Sequence, residues 1–475
     1  MNEYEAVIGL EVHVELSTAR KIFCFCEIRE NPEPNEQTCE VCTSLPGTLP
    51  VMNRDVVTSA VKAGLAVNGQ INHFSRMDRK NYFYPDLPKA YQISQSQMPI
   101  VTGGHVDIET KDGARRIELT RIHLEEDAGK LIHLEGQGTL VDCNRCGVPL
   151  IEIVSEPDLR SADEAVQFLK KLRAILIYTG VTRARMQEGE MRCDVNVSVR
   201  KKGDATLGTR SEMKNLNSFA FVAKAIESEF KRQTELLEAG AEIIQETRRF
   251  DDKTGQSYAM RTKEDADDYR YFPDPDLVPI HLTAKEIDAL AREIPELPDA
   301  RKARYIKDYG ISAYDAERLT EEMAIADYFE RAAEHTGSAK TVANLLISDL
   351  PNLQKDRPLP DPLKLAAVAD LQANGQINSS TTKKVLIALL ESDIDPVAYV
   401  QAENLLQIND VDALRPYVDK VLTARANVAD DYRSGKTKAM QSLIGMVMRE
   451  TAGRANPVLI QALLEARLAE PDDKA

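Results

Sequence analysis

Tryptophan is absent from these 475 residues, phenylalanine and tyrosine number only 11 and 15, and no apolar run approaches the ~18 residues that a membrane-spanning helix needs. The opening Met-Asn-Glu-Tyr-Glu has neither the basic nor the apolar stretch of a secretion signal, so no membrane contact and a cytoplasmic location are expected. Cysteine is also scarce. Seven is an odd number, which argues against a disulfide framework and for reduced thiols or metal binding. A basic excess is lacking too: 60 Lys plus Arg stand against 76 Asp plus Glu, a net charge of -16, which excludes a uniformly basic nucleic-acid binder and leaves room for a local basic surface. Nor is there a phosphate-binding P-loop, because Gly435-Lys436-Thr437 has Asp430 where the first glycine is required and lies in helical surroundings.

What is present is an ordinary globular balance, 43% hydrophobic and 29% charged, with length for roughly three domains. Residues 1–295 mix short alternating strands, turns and a few helices, whereas the pattern beyond Pro298 is almost entirely helical, so the expected class is α+β. Proline-rich stretches at Tyr271–Pro279 and Ile294–Pro298 mark the change, and Gln407–Asp410 offers a further break. The expected domains are 1–295, 296–407 and 408–475.

The chain is organised around Ala6–Leu16. From Leu10 onward it alternates, with Leu10, Val12, Val14 and Leu16 on one face of a strand and Glu11, His13 and Glu15 on the other. Two carboxylates flanking an imidazole could serve one cation, or could be a solvated face. More acidic positions fall on strand-like runs. Ile117–Leu124 ends in Glu125-Glu126-Asp127, Arg192–Val199 sets Asp194, Asn196 and Ser198 opposite an apolar face, and Glu212 precedes a helix that starts near Ser218. Carboxylates converging on one cleft repel unless a divalent cation neutralises them, so the array makes sense as a Mg2+ site.

Cys24-Phe-Cys26 and Cys39-Glu-Val-Cys42, twelve residues apart, have the spacing of a closed tetrahedral zinc knuckle that staples a loop too polar to bury itself. Cys143-Asn-Arg-Cys146 has no matching pair after it and Cys193 stands alone, so these read as packing thiols. In Asp78–Gln95 the aromatics Tyr82, Phe83, Tyr84 and Tyr91 gather beside Arg79, Lys80 and Lys89. Such a loop can stack a base and hold phosphates, or can pack onto the body.

Gly9-Leu-Glu-Val-His13, Asn81-Tyr-Phe-Tyr-Pro-Asp86, Lys89–Gln95, His123–Lys130, Lys214-Asn-Leu-Asn-Ser-Phe219 and Asp268-Tyr-Arg-Tyr-Phe-Pro273 together resemble the B subunit of the tRNA-dependent amidotransferases, essentially from end to end. The resemblance implies a large mixed sheet of the glutamine synthetase and guanidino kinase kind, followed by helical and tail domains. It implies ATP-dependent phosphorylation of the side-chain carboxylate of Glu or Asp misacylated on tRNA, then displacement of phosphate by ammonia. It further implies an amidase-type A subunit that supplies the ammonia, a small C subunit, a heterotrimer, and an assembly compatible with an aminoacyl-tRNA synthetase. A non-catalytic tRNA-binding scaffold is the alternative. It would leave the carboxylates without purpose.

Position by position, the resemblance assigns catalytic and Mg2+-ligand roles to Glu11, His13, Glu126 and Glu212, with Asp194 as a further ligand. ATP or substrate contacts fall on Arg79, Lys80, Tyr82, Tyr84, Lys89 and Tyr91. Zinc at Cys24, Cys26, Cys39 and Cys42 is structural at most, since some family members lack these cysteines. From Ile408 to the end, ten Lys plus Arg balance ten Asp plus Glu, so the acidic excess lies upstream. Lys436, Lys438, Arg449 and Arg454 cluster there as candidate tRNA contacts.

Overall fold

The computed structural model describes residues 3–134, 136, 138–251, 254–262 and 269–469. Asp268 of the last motif and residues 470–475 of the tail lie outside the described residues. The chain forms two compact units, Met1–Pro298 and Asp299–Ala475.

The first unit is built on ten strands: β1 (Tyr4–Glu15), β2 (Gln70–Ile71), β3 (Val101–Thr102), β4 (His105–Thr110), β5 (Gly113–Glu126), β6 (Pro149–Ser155), β7 (Met191–Lys201), β8 (Ser211–Leu216), β9 (Glu246–Asp251) and β10 (Gln256–Thr262). They form one sheet in the order β10-β9-β8-β7-β1-β6-β5-β3-β2, with β4 paired to β5. Within this sheet only the β8–β9 pairing is parallel among the described residues, so the sheet is mixed, in keeping with the α+β expectation. The alternating run of the sequence becomes β1, gripped between β7 and β6.

Alternation dictates what each face carries. Leu10, Val12, Val14, Ile151, Ile153, Val195, Val197 and Met213 are all 0–2% exposed. Each burial is worth about 1.5–3 kcal/mol, and a one-residue slip of register would turn all of them outward. Three helices belong to this core: α1 (Arg54–Ala66), α2 (Ala162–Tyr178) and α3 (Phe219–Glu238). Each begins at a side chain that accepts from an orphan amide of the first turn, Asn53 from Asp55, Ser161 from Glu164 and Ser218 from Phe221. Phe168, Leu169, Leu172 and Leu176 give α2 its buried stripe, and α3 packs on β7. With the apolar side chains committed to the helices, the other face of the central strands is free to be polar.

A three-stranded sheet of Asp78–Asn81, Tyr91–Ser94 and Phe272–Pro273 pins the aromatic loop, and the Asn81 amide donates to Tyr269 O at 3.0 Å. The four N-terminal cysteines lie on loops that precede α1.

The second unit is helical from Pro298–Tyr309 onward. Its last part, after Ile408, has its own apolar core of Leu414, Val418, Leu443, Val447, Ile460 and Leu464. This core is tied to the preceding helices by Gln407 N to Gln376 O at 2.7 Å and by Asn378 Nδ2 to Gly453 O at 2.6 Å. No described helix is long and apolar enough to cross a membrane.

Candidate functional site

In-register partners share a face, so the pairings of β1 align a polar band across five strands. Glu11 faces Asp194, His13 faces Arg192 and Glu152, Glu152 faces His123, and Asn196 faces Glu212. Lys214, two residues on from Glu212 along β8, lies on the same face and reaches Asp194.

Two ligand groups result. In the first, Glu11, Asp194 and Glu212 bring carboxylate oxygens within 4.8 Å of one another. Lys214 Nζ bridges Asp194 and Glu212 at 2.8 Å each, Asn196 Nδ2 donates to Glu11 at 3.0 Å, and Thr247 Oγ1 donates to Glu212 at 2.9 Å. In the second, His13 Nε2 lies 3.4 Å from both Glu125 and Glu152, and His123 Nε2 lies 3.3 Å from Glu152. A cleft of about 470 Å³ opens on this band, walled by His13, Tyr82, Glu125, Arg192, Asp194 and Lys214 among others.

The charges explain each other. Burial, then the nearby Glu152, raises the Glu11 carboxyl. Burial also raises Glu125, opposed by His13. Glu152 is buried as well, but bonds from His123 and His13 hold it well below the usual carboxylate range. Burial works to lower His13, and its bond to Glu152 with the charges of Glu125 and Glu152 lifts it to about 9. Lys214 is raised because Asp194 and Glu212 outweigh its burial. Oxygen-rich groups that lean on neighbouring cations for neutrality are the donor set a hard divalent cation prefers. Both groups therefore fit a divalent cation, which in the second would take the place of the His13 proton.

The fold brings Glu11, His13, Asp194 and Glu212 onto one face, as the resemblance groups them. Glu126 is not with them. Side chains alternate along β5, so Glu125 points into the band and Glu126 to the opposite side, where it accepts from Lys89 at 2.7 Å and from the Ile93 amide at 2.9 Å. Glu152 and His123 are the residues that sequence reasoning passed over, and Glu125, named there in the acidic run, takes the place given to Glu126. A lone carboxylate in the apolar run Val148–Val154 was the available signal for Glu152.

The aromatic loop divides. Burial works to lower Lys80, and the charges of Tyr271 first and then of Glu125, Tyr269 and Glu152 raise it, while its Nζ lies 4.8 Å from the Tyr269 ring. Tyr82 lines the cleft, and burial raises its phenol. Arg79 is held by Asp274 at 2.8 Å and Asp276 at 2.6 Å and stacks on Tyr91 at 4.2 Å, Lys89 is spent on Glu126, and Tyr84 is exposed.

The four N-terminal cysteines bring their sulfurs within 4.8 Å of one another, with Cys42 3.9 Å from Cys39 and 4.0 Å from Cys26. Bonds at ~2.3 Å to a tetrahedral centre separate sulfurs by about 3.8 Å, so the tetrad fits zinc with no open position. Cys42 is held at about 4, by its bond with Cys24 first and also, against its burial, by the Cys39 amide and the Lys21 charge. Cys193, on the apolar face of β7, is buried in the core, as a packing thiol should be.

Of the four tail cations, Lys436 pairs with Asp431 at 2.7 Å, and Arg454 donates to Asn404 Oδ1 at 3.0 Å. Lys438 and Arg449 are exposed, with no charge partner among the described residues.

Comparison with known proteins gives matches along nearly the whole chain. A family model described as the GatB/GatE catalytic domain matches residues 6–288, and one described as a GatB domain matches residues 327–468. The chain is 50% identical over 476 residues to the B subunit of the aspartyl/glutamyl-tRNA(Asn/Gln) amidotransferase of Caldicellulosiruptor saccharolyticus, covering 98% of this chain and 99% of the relative. It is 49% identical to the protein of the same name from Moorella thermoacetica, covering 98% of this chain and 100% of the relative.

Proposed function

The chain belongs to the GatB/GatE family, and on that premise we propose that the polar band of its sheet is where a tRNA-dependent amidotransferase activates a carboxylate with ATP. The activity is that of one component of a glutamine-hydrolysing ligase in translation. A side-chain carboxylate oxygen of Glu or Asp on misacylated tRNA attacks the γ-phosphorus and ADP departs. Ammonia then attacks the acyl carbon and phosphate leaves, giving Gln-tRNA(Gln) or Asn-tRNA(Asn).

The observation that supports this reading is the pair of ligand groups on neighbouring strands. Glu11, Asp194 and Glu212 would hold one Mg2+, and His13, Glu125 and Glu152 a second divalent cation. Bound there, the cations would screen phosphate charge from the substrate carboxylate. Lys80 and Tyr82 close the cleft toward the substrate. Arg79 and Tyr91 brace the loop that carries them, Lys89 fixes Glu126 behind it, and exposed Tyr84 is left for substrate or partner.

The structural zinc belongs to the cysteine knuckle. The second unit comprises a helical domain to residue 407 and a tail domain over 408–475, where Lys438 and Arg449, with Lys436 and Arg454 beside them, meet tRNA phosphates. The partners are an amidase-type A subunit that makes the ammonia and a small C subunit, in a cytoplasmic heterotrimer.

Phosphate release by the assembled complex tests the reading. It should require both Mg2+ and misacylated tRNA and should disappear in His13→Ala. Turnover that survives that change, or ignores the tRNA, would refute it.

A further inference from the structure

Lys21 is fully buried, and the fold uses it three ways. Its Nζ donates to Gln37 O at 2.7 Å, to Cys143 O at 3.5 Å and to Cys42 Sγ at 3.6 Å. Three acceptors match the three N–H groups of an ammonium, where a neutral amine would offer two. A buried cation needs a negative partner, yet no carboxylate pairs with Lys21 among the described residues. The negative charge that faces it is sulfur. Four thiolates around one Zn2+ carry a net charge of about -2, and Lys21 touches one of the four sulfurs, that of Cys42.

The acceptors also belong to different parts of the fold. Gln37 and Cys42 lie in the cysteine loop. Cys143 lies in the turn that runs through Gly147 into β6, the strand of Glu152. Ile22 N donates to Gly147 O at 2.9 Å, and Gly147 N donates to Asp127 O at 3.1 Å, so the backbone follows the same route from the knuckle to the sheet.

We propose that Lys21 is the internal counter-ion of the zinc tetrathiolate and, through the Cys143 turn, a positioning residue that couples the zinc knuckle to the strand carrying Glu152. The inference rests on the zinc reading of the four cysteines. It makes the knuckle a support of the cleft as well as a staple for a polar loop. Lys21→Met removes the charge at similar length, and Lys21→Gln keeps donors without charge.

The test uses the full-length chain. Zinc content and the rate of zinc loss to a chromophoric chelator are measured for the wild type and both variants, with hydrogen exchange read at residues 149–155. Wild type should hold about one zinc, and each variant should lose it roughly 10- to 100-fold faster, the range for disturbing a metal's supporting shell, with faster exchange along β6. Stripping zinc from the wild type and restoring it should raise and then lower the same exchange, an arm that needs no variant to fold. Wild-type release rates in the variants, or β6 exchange indifferent to zinc, would overturn the proposal. A wild type without zinc would instead defeat the zinc reading beneath it.

Discussion

Replacing Glu125 and Glu126 by Gln, one at a time, alters adjacent residues of one strand, and the two variants should fail in opposite ways. Glu126 is buried with its charge on Lys89, whose side chain is 15% exposed. Breaking a fully buried pair costs ~3–5 kcal/mol. Water reaching Lys89 screens part of this, leaving about 2 kcal/mol, or roughly 4–8 °C in Tm for a unit of this size. Catalysis should be largely spared, because the Glu126 carboxylate does not reach the cleft.

Glu125→Gln removes a carboxylate that burial and Glu152 already oppose, while losing the attraction of His13. These effects offset, and stability should move by less than about 1 kcal/mol. Phosphate release dependent on misacylated tRNA should fall about 10²-fold or more, the scale for losing one preorganised charged group. Thermal unfolding and phosphate release, measured on both variants in the assembled complex, decide the matter. An inactive but stable Glu126→Gln beside an active Glu125→Gln would place the chemistry on the other side of β5 and refute the reasoning.

Elemental analysis should find about one zinc per chain, and Cys39→Ser should remove it; zinc that survives this change would belong elsewhere. Burial, then the charge of Asp127, raises the Glu15 carboxyl to about 7. A raised acid binds its proton more tightly in the folded state, so its contribution to stability is lost as pH rises from about 4.5 to about 7. Glu15→Gln should therefore be more stable than wild type at pH 8, by about 1–3 kcal/mol, and indistinguishable near pH 4, as read by urea unfolding. Deleting residues after Gln407 should weaken tRNA binding and flatten its salt dependence by roughly one in slope per lost phosphate contact, while glutamine hydrolysis without tRNA persists. Within the tail, Lys438→Glu and Arg449→Glu should weaken filter-binding affinity more than Arg454→Gln, since Arg454 is already spent on Asn404.

The sequence made the central strand legible because Leu10–Leu16 alternates without interruption, and the α+β layout followed from the change of pattern near Pro298. The cysteine spacing likewise pointed to a set of four sulfurs that the fold does bring together. Facing could not be read where polarity is uniform. In Glu125-Glu126-Asp127 every residue is acidic, so only pairing with β6 reveals which carboxylate joins His13. Arg79 looked free because its partners, Asp274 and Asp276, lie nearly two hundred residues away. Lys214 reaches Asp194 across the β7–β8 pairing, a partnership that residue types do not announce.

The central claim is that two cations sit on the polar face of β1, on opposite sides of its midline. Anomalous diffraction from crystals of the full chain with Mn2+ and a non-hydrolysable ATP analogue tests it most directly. The account predicts one peak ~2.2 Å from carboxylate oxygens of Glu11, Asp194 and Glu212, and a second at the same range from His13, Glu125 and Glu152. Peaks at Glu126, or none on this face with nucleotide bound elsewhere, would contradict it.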